Sequence, residues 1–235
     1  MTVTGDGRTV LVTGANRGTG RAVAEELHAA GWRVWNLGRT PAELPWIENV
    51  HCDLRHPADV GPAVQRVTEL AGGLDAVVAN GVERALGELA TLPLQSWREA
   101  VDVNLTSVIA LVQAALPALR ARGGRIVLMG SHAGTRFFEG GAAYCATKAA
   151  LKAIAEVLLL EERPSGVCTT LISPGAIANL PDDTSPLKMT TSSVAKAVLW
   201  VLQAPADTVV GEVELRPARL PDQVPVTGLD RLQAV

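Results

Sequence analysis

The sequence predicts an α/β fold, a single doubly wound parallel sheet with helices on both faces. Three observations lead there. Short runs of β-forming residues alternate with longer helical runs from residue 9 to residue 215. Several of the short runs, Ala76-Val77-Val78-Ala79 among them, are apolar throughout, as strands covered on both faces are. No repeat, low-complexity tract or linker divides residues 1–235, so the alternation belongs to one domain with right-handed crossovers. At 48% hydrophobic content, 235 residues can build one large core or two small ones, and the missing divider favours one. Loose ends are expected near 1–7 and 219–235.

Strands are expected at 9–13, 33–37, 50–52, 76–79, 125–129, 168–172 and 212–215. Helices are expected between them at 20–30, 58–71, 94–121, 142–162 and 192–202. The first strand leads into Thr13-Gly14-Ala15-Asn16-Arg17-Gly18-Thr19-Gly20, and the helix that follows closes at Gly31, a C-cap glycine. Glycines at this junction permit a tight turn. They also let the backbone approach a pyrophosphate seated on the unpaired N–H groups of the helix N-terminus. A glycine-rich turn in another nucleotide-binding or flavodoxin-like fold would read the same way. The second strand ends Leu37-Gly38-Arg39-Thr40, and the third is followed by Asp53-Leu54.

Composition excludes several classes. A net charge of -3 with scattered arginines argues against a nucleic-acid partner. Cys52, Cys145 and Cys168 are odd in number and widely spaced, neither a disulfide framework nor a zinc pattern, and they fit a reducing compartment. The four histidines lack ligand spacing, so no metal site is expected. The amino terminus carries no apolar secretion signal. The longest apolar window, 108–119, contains Gln113 and Pro117 and is too short to span a bilayer. A cytoplasmic protein without a membrane partner is expected.

The only tyrosine, Tyr144, is followed four residues later by Lys148, in a stretch rich in helix formers. Residues four apart share a helix face. A cation held beside a phenol favours the phenolate and lowers its pKa by about 1–3 units, which suits it to exchanging a proton with a carbonyl or hydroxyl oxygen.

The loop spacing and the tyrosine–lysine pair together resemble the short-chain dehydrogenase/reductase family, with motifs in the family's order from about Thr9 to Pro217. The resemblance implies a Rossmann fold in which Gly14, Asn16, Arg17, Gly18, Thr19 and Gly20 form the cofactor loop. It puts Asp53, with Leu54, on the adenine amino group, and Asn80-Gly81 at the end of the fourth strand. Asn104 is similar to the helix asparagine of the catalytic tetrad, and Ser131, thirteen residues before Tyr144, to its serine. Pro174-Gly175 resembles the segment beside the nicotinamide, where Ile177 offers its backbone to the carboxamide. Taken singly, Ser131 reads as a strand-end cap and Asn104 as a polar helix residue; the ordered set points to catalysis. Three departures stand out. Ala79-Asn80-Gly81 is one residue shorter than the usual motif, Thr19 replaces an isoleucine, and Asn179 replaces a threonine.

The family mechanism implied is hydride transfer to a carbonyl carbon, with Tyr144 protonating the oxygen. Ser131 would hydrogen-bond that oxygen, Lys148 would lower the phenol's pKa and bind the nicotinamide ribose, and Asn104 would hold a relay water. Gly38 stands where an NAD-choosing enzyme places a carboxylate, while Arg39 suits a 2′-phosphate. Arg17 resembles the second basic residue of NADP-preferring members, so NADP(H) rather than NAD(H) is expected. The substrate is a small carbonyl compound or alcohol, covered by residues 82–92, 132–141 and 176–191; the last loop is short, so an open site is expected. Phe137 and Phe138 would line an apolar pocket or belong to a core or interface. His132 reads as a neutral loop histidine, and Arg136 and Glu139 as solvated charges. The family's usual assembly implies a homotetramer or homodimer through 94–121 and 142–162. The competing class is a catalytically silent nucleotide-sensing or scaffold protein on the same fold; the retained tyrosine, lysine and serine favour an enzyme.

Overall fold

Val10 and Val12 are buried in one apolar cluster and Leu11 in another, because successive side chains of a strand point to opposite faces. Their strand, β1 (Thr9–Thr13), therefore lies between two helical layers. The computed structural model describes residues 7–180 and 182–219; the loose ends expected at 1–7 and 219–235 fall almost wholly outside them. β1 pairs in parallel with β2 (Arg33–Gly38) and with β4 (Ala76–Ala79). β3 (Glu48–His51), β5 (Arg125–Met129), β6 (Cys168–Pro174) and β9 (Glu212–Leu215) complete a seven-stranded parallel sheet in the order β3-β2-β1-β4-β5-β6-β9. β7 (Ile177–Ala178) and β8 (Met189–Thr190) pair separately. The winding reverses between β1 and β4, and the crevice outside the carboxyl ends of the strands at such a point is where open α/β sheets take ligands.

α1 (Gly18–Ala29) and α6 (Thr191–Leu202) cover the face of Val10 and Val12, while α2 (Pro57–Ala71), α4 (Ser107–Arg120) and α5 (Ala142–Glu162) cover that of Leu11. Gly31 ends α1 as expected. Its φ is +85°, its N–H donates to His28 O at 2.9 Å, and Trp32 N donates to Leu27 O at 3.0 Å, the paired bonds of a Schellman motif. β3 begins two residues earlier and ends one earlier than the strand expected at 50–52.

The single helix expected at 94–121 is a correction. It divides into α3 (Leu94–Val101) and α4, joined by a π-helical turn at Asp102–Thr106. Asn104, 1% exposed, sits in that turn and is held from outside the helix. Its Oδ1 accepts from Glu83 N at 2.8 Å, and its Nδ2 donates to Glu83 O at 2.9 Å and Thr147 Oγ1 at 3.1 Å. One extra residue in the turn rotates the side chain toward those partners. Taken end to end, residues 94–120 are long and apolar enough to cross a bilayer; in the fold, α4 buries Val108, Leu111, Val112, Ala115 and Leu119 in the same cluster as α2 and the sheet.

Candidate active site

Gly14 and Gly18 have φ of +71° and +54°, backbone that residues with a Cβ adopt only under strain. Gly20 is small for another reason: a Cβ there would run into the Gly14 carbonyl oxygen and the Asn80 amide. The loop is tied down on both sides. Ala15 N donates to Asn36 Oδ1 at 2.9 Å, and Asn36 Nδ2 reaches Thr40 O at 3.3 Å and Asn49 Oδ1 at 2.9 Å. One amide, 1% exposed, thus joins the glycine loop to the turn carrying Arg39. The sequence reading missed Asn36; a lone amide inside Val34-Trp35-Asn36-Leu37 was its signal. On the other side the Thr13 hydroxyl accepts from Asn80 N at 2.9 Å and Gly81 N at 2.8 Å, while Asn80 Nδ2 donates to Thr13 O at 3.1 Å. The shortened loop therefore stays anchored to β1.

Arg17 precedes α1 and gives it no side-chain cap. Asn179 does so from a distant segment, its Oδ1 accepting from Thr19 N at 2.9 Å and Thr19 Oγ1 at 3.2 Å. Thr19 and Asn179, both unusual in the pattern, are thus partners. Asp53 is gripped by Arg55, whose Nη2 and Nε lie 2.6 and 3.1 Å from Oδ2 and whose backbone N donates to Oδ1 at 3.0 Å. Arg39 Nε is 3.9 Å from the same carboxylate. Hydrogen bonds from the Arg55 side chain, above all, hold Asp53 down at about 2. Nothing in the motif pattern signalled Arg55.

Tyr144 is half-buried in the first turn of α5. Lys148, one turn on and 5% exposed, donates from Nζ to Met129 O at 2.6 Å and stands 5.9 Å from the Tyr144 ring centroid. Met129 ends β5, so the ammonium sits at the carboxyl end of the sheet. Ser131 follows directly, and its Oγ accepts from Ala133 N at 3.1 Å. The strand-end cap is real, and the hydroxyl proton is left for another partner. The turn at 132–134 packs tightly on α5, for a Cβ at Gly134 would lie 2.8 Å from the Lys148 carbonyl oxygen. Thr147 Oγ1, bonded to Asn104, also donates to Tyr144 O at 3.0 Å. The four expected catalytic residues therefore share one locality. Pro174 ends β6, Gly175 N donates to Leu215 O at 2.8 Å, and Ile177 pairs with Met189.

The family profile described as short chain dehydrogenase matches residues 8–184. The chain belongs to that family. It is 31% identical over 233 residues to an uncharacterized oxidoreductase of Staphylococcus aureus (strain MW2), covering 92% of this chain and 100% of the relative. The alcohol dehydrogenase of the archaeon Thermococcus sibiricus, complexed with 5-hydroxy-NADP, superposes with a TM-score of 0.84 at 25% identity, covering 93% of this chain and 100% of that one. Serine dehydrogenase of Escherichia coli gives a TM-score of 0.80 at 26% identity over 89% and 97% of the two chains. This chain is an oxidoreductase of the short-chain dehydrogenase type.

Beside the expected catalytic residues, one expected solvated charge is paired. Arg136, read as a solvated charge, lies 3.2 Å from Glu214, as does His132. Burial pushes His132 below its ordinary value against the pull of Glu214, in keeping with a neutral histidine. Phe137 is 69% exposed, so it belongs to neither the core nor an enclosed pocket of the single chain. A cavity of about 290 Å³ lined by His28, Trp32 and Trp46 lies at the amino ends of β2 and β3, remote from this chemistry.

Burial first, then the Arg84 charge, brings Lys148 down to about 8 from an ordinary 10.5. Between those values the unfolded chain binds more protons than the folded one, so this group makes stability rise with pH across the window. An anionic ligand beside the ammonium draws the proton back. Calorimetric titration of a dinucleotide at pH near 8, in buffers of different ionisation enthalpy, is expected to show net proton uptake that Lys148→Met abolishes.

Proposed function

We propose that the dehydrogenase uses NADP(H) to interconvert a ketone or aldehyde and its alcohol, with Tyr144 as general acid and base. The observation that carries this reading is the half-exposed phenol of Tyr144 with the buried ammonium of Lys148 one turn behind it, 5.9 Å from the ring centroid. The glycine loop fits a dinucleotide, since Gly14, Gly18 and Gly20 leave bare backbone at the N-terminus of α1 where a Cβ would strain or collide. Residues 14–20 would hold the pyrophosphate, Asp53 and Leu54 the adenine, Asn80 and Gly81 the adenosine ribose. Lys148 would hold the nicotinamide ribose, and Pro174, Gly175 and Ile177 the carboxamide. When bound, the nicotinamide supplies or accepts the hydride.

In the reducing direction Tyr144 Oη gives its proton to the substrate oxygen while Ser131 Oγ donates a hydrogen bond to that oxygen. The Lys148 charge stabilises the negative charge left on the phenol oxygen. Asn104 would hold a relay water; its side chain is taken up by Glu83 and Thr147, so that role would fall to its backbone carbonyl. NADPH oxidation against a panel of ketones and aldehydes tests the reading. Tight cofactor binding with no turnover of any of them favours the silent sensor.

Arg17 and Arg39 are exposed, one just ahead of α1 and one just after β2, and guanidinium forks match a 2′-phosphate. The Thermococcus sibiricus enzyme bound to 5-hydroxy-NADP supports the same choice. NADPH is expected to bind tighter than NADH in a fluorescence titration, and Arg39→Glu to weaken NADPH by roughly 10–100-fold, the worth of one or two charge-assisted bonds. Tighter NADH binding by the unaltered protein overturns the assignment. Val157 and Leu160 of α5 are 49% and 57% exposed, which supports a homotetramer or homodimer through α4 and α5. Three free, buried cysteines support a cytoplasmic setting.

A further inference from the structure

Arg84 lies in the segment after β4, and its guanidinium carbon stands 5.5 Å from the centroid of the Tyr144 ring. Most arginines at this end of the sheet are matched by a carboxylate: Arg55 and Arg39 by Asp53, Arg136 and Arg216 by Glu214. Arg17, which has none among the described residues, is assigned to the cofactor in the function proposed above. Arg84 is exposed and makes no ion pair among the described residues. Two carboxylates, Glu83 and Glu99, share with it a groove of about 210 Å³ that also includes Ser96 and Leu92, yet neither bridges to it. Both bear electrostatically on Arg55, and the Glu83 backbone is bound to Asn104. Arg84 also acts on Lys148, helping to lower its proton affinity. Two cations thus face one phenol with no anion between them.

We infer that the carbonyl substrate carries a carboxylate, as an oxo acid or the corresponding hydroxy acid does, and that Arg84 is the residue that receives it. This rests on the function proposed above, since it assumes that the reacting carbon sits at Tyr144. A guanidinium takes a carboxylate through two parallel N–H···O bonds. An anion at Arg84 would also relieve the repulsion between the guanidinium and Lys148. In the reduction the oxo carbon gains a hydride from NADPH and its oxygen gains the Tyr144 proton, giving the hydroxy acid and NADP+; the carboxylate is unchanged. Arg84 is therefore a specificity residue, acting on the end of the substrate that does not react.

The test compares short 2-oxo and 3-oxo acids with their methyl esters, using the NADPH-loaded protein and its Arg84→Gln and Arg84→Lys variants. The acids are expected to be preferred. Arg84→Gln should lower kcat/KM for them by roughly 10–100-fold, mainly through KM, with the esters changed far less and Arg84→Lys partly restoring the acids. Equal use of acid and ester, or an equal loss for both in Arg84→Gln, overturns the inference. So does a preference for phosphorylated ketones over the oxo acids. Thermal unfolding of the NADP+ complex with millimolar oxo or hydroxy acid reads binding without turnover. Stabilisation by the acids that is lost in Arg84→Gln supports the inference, and no stabilisation overturns it. Acid binding at Arg84 with no turnover of any carbonyl compound would count against the proposed reaction alone.

Discussion

Tyr144→Phe is expected to lower turnover by about 10²–10⁴-fold, the range that a positioned general acid contributes, while NADPH binding stays within about two-fold. The separation follows from what the substitution removes. Phenylalanine keeps the ring, its half-buried place in α5, and its contacts with the cations of Lys148 and Arg84; only the hydroxyl goes. Stopped-flow measurement of nicotinamide fluorescence on binding, beside steady-state oxidation, reads both quantities on one preparation. Turnover within a few-fold of the unaltered protein would remove Tyr144 from the chemistry. A parallel loss of binding would mean that the phenol holds the cofactor rather than moves a proton.

Gly20→Ala is the second large effect, and two terms of opposite sign decide it. Alanine inside a helix gains about 1 kcal/mol over glycine. Against this, the added Cβ would meet the Gly14 carbonyl oxygen, which is backbone, and the Asn80 amide, which bonds to Thr13. Neither neighbour can retreat without opening the loop, and overpacking of this kind costs about 1–3 kcal/mol. The collision wins. A fall in Tm of several degrees is expected, with cofactor affinity reduced at least about tenfold because the loop can no longer close. Unchanged affinity in a folded variant would show that the close approach of α1 to Gly14 is dispensable.

How far the sequence revealed all this depends on the range of the interactions concerned. Apolar runs such as Val10-Leu11-Val12, the glycine spacing and the Tyr144–Lys148 offset are local patterns, and each is found where expected. The π-helical turn at Asp102–Thr106 was hidden because one extra residue barely disturbs the apolar stripe of 94–121. Its cause lies in Glu83 and Thr147, tertiary partners with no local trace. Asn36 and Arg84 escaped for the same reason, since each acts through a neighbour brought up by the fold; Arg55 grips Asp53 from only two residues away, but the motif gives that position no role. Thr19 and Asn179 were visible as oddities, but their bond was not, since they stand 160 positions apart.

That bond couples two halves of the molecule. On the proposed function, residues 175–180 would flank the reacting carbon, and Asn179 fastens them to the same first-turn N–H of α1 that a phosphate oxygen would seek. Loading the nucleotide must therefore either share or displace that fastening, and displacement would free the wall beside the substrate. With displacement, the proposed function is expected to run in compulsory order, the dinucleotide entering first and leaving last, which product-inhibition kinetics would read.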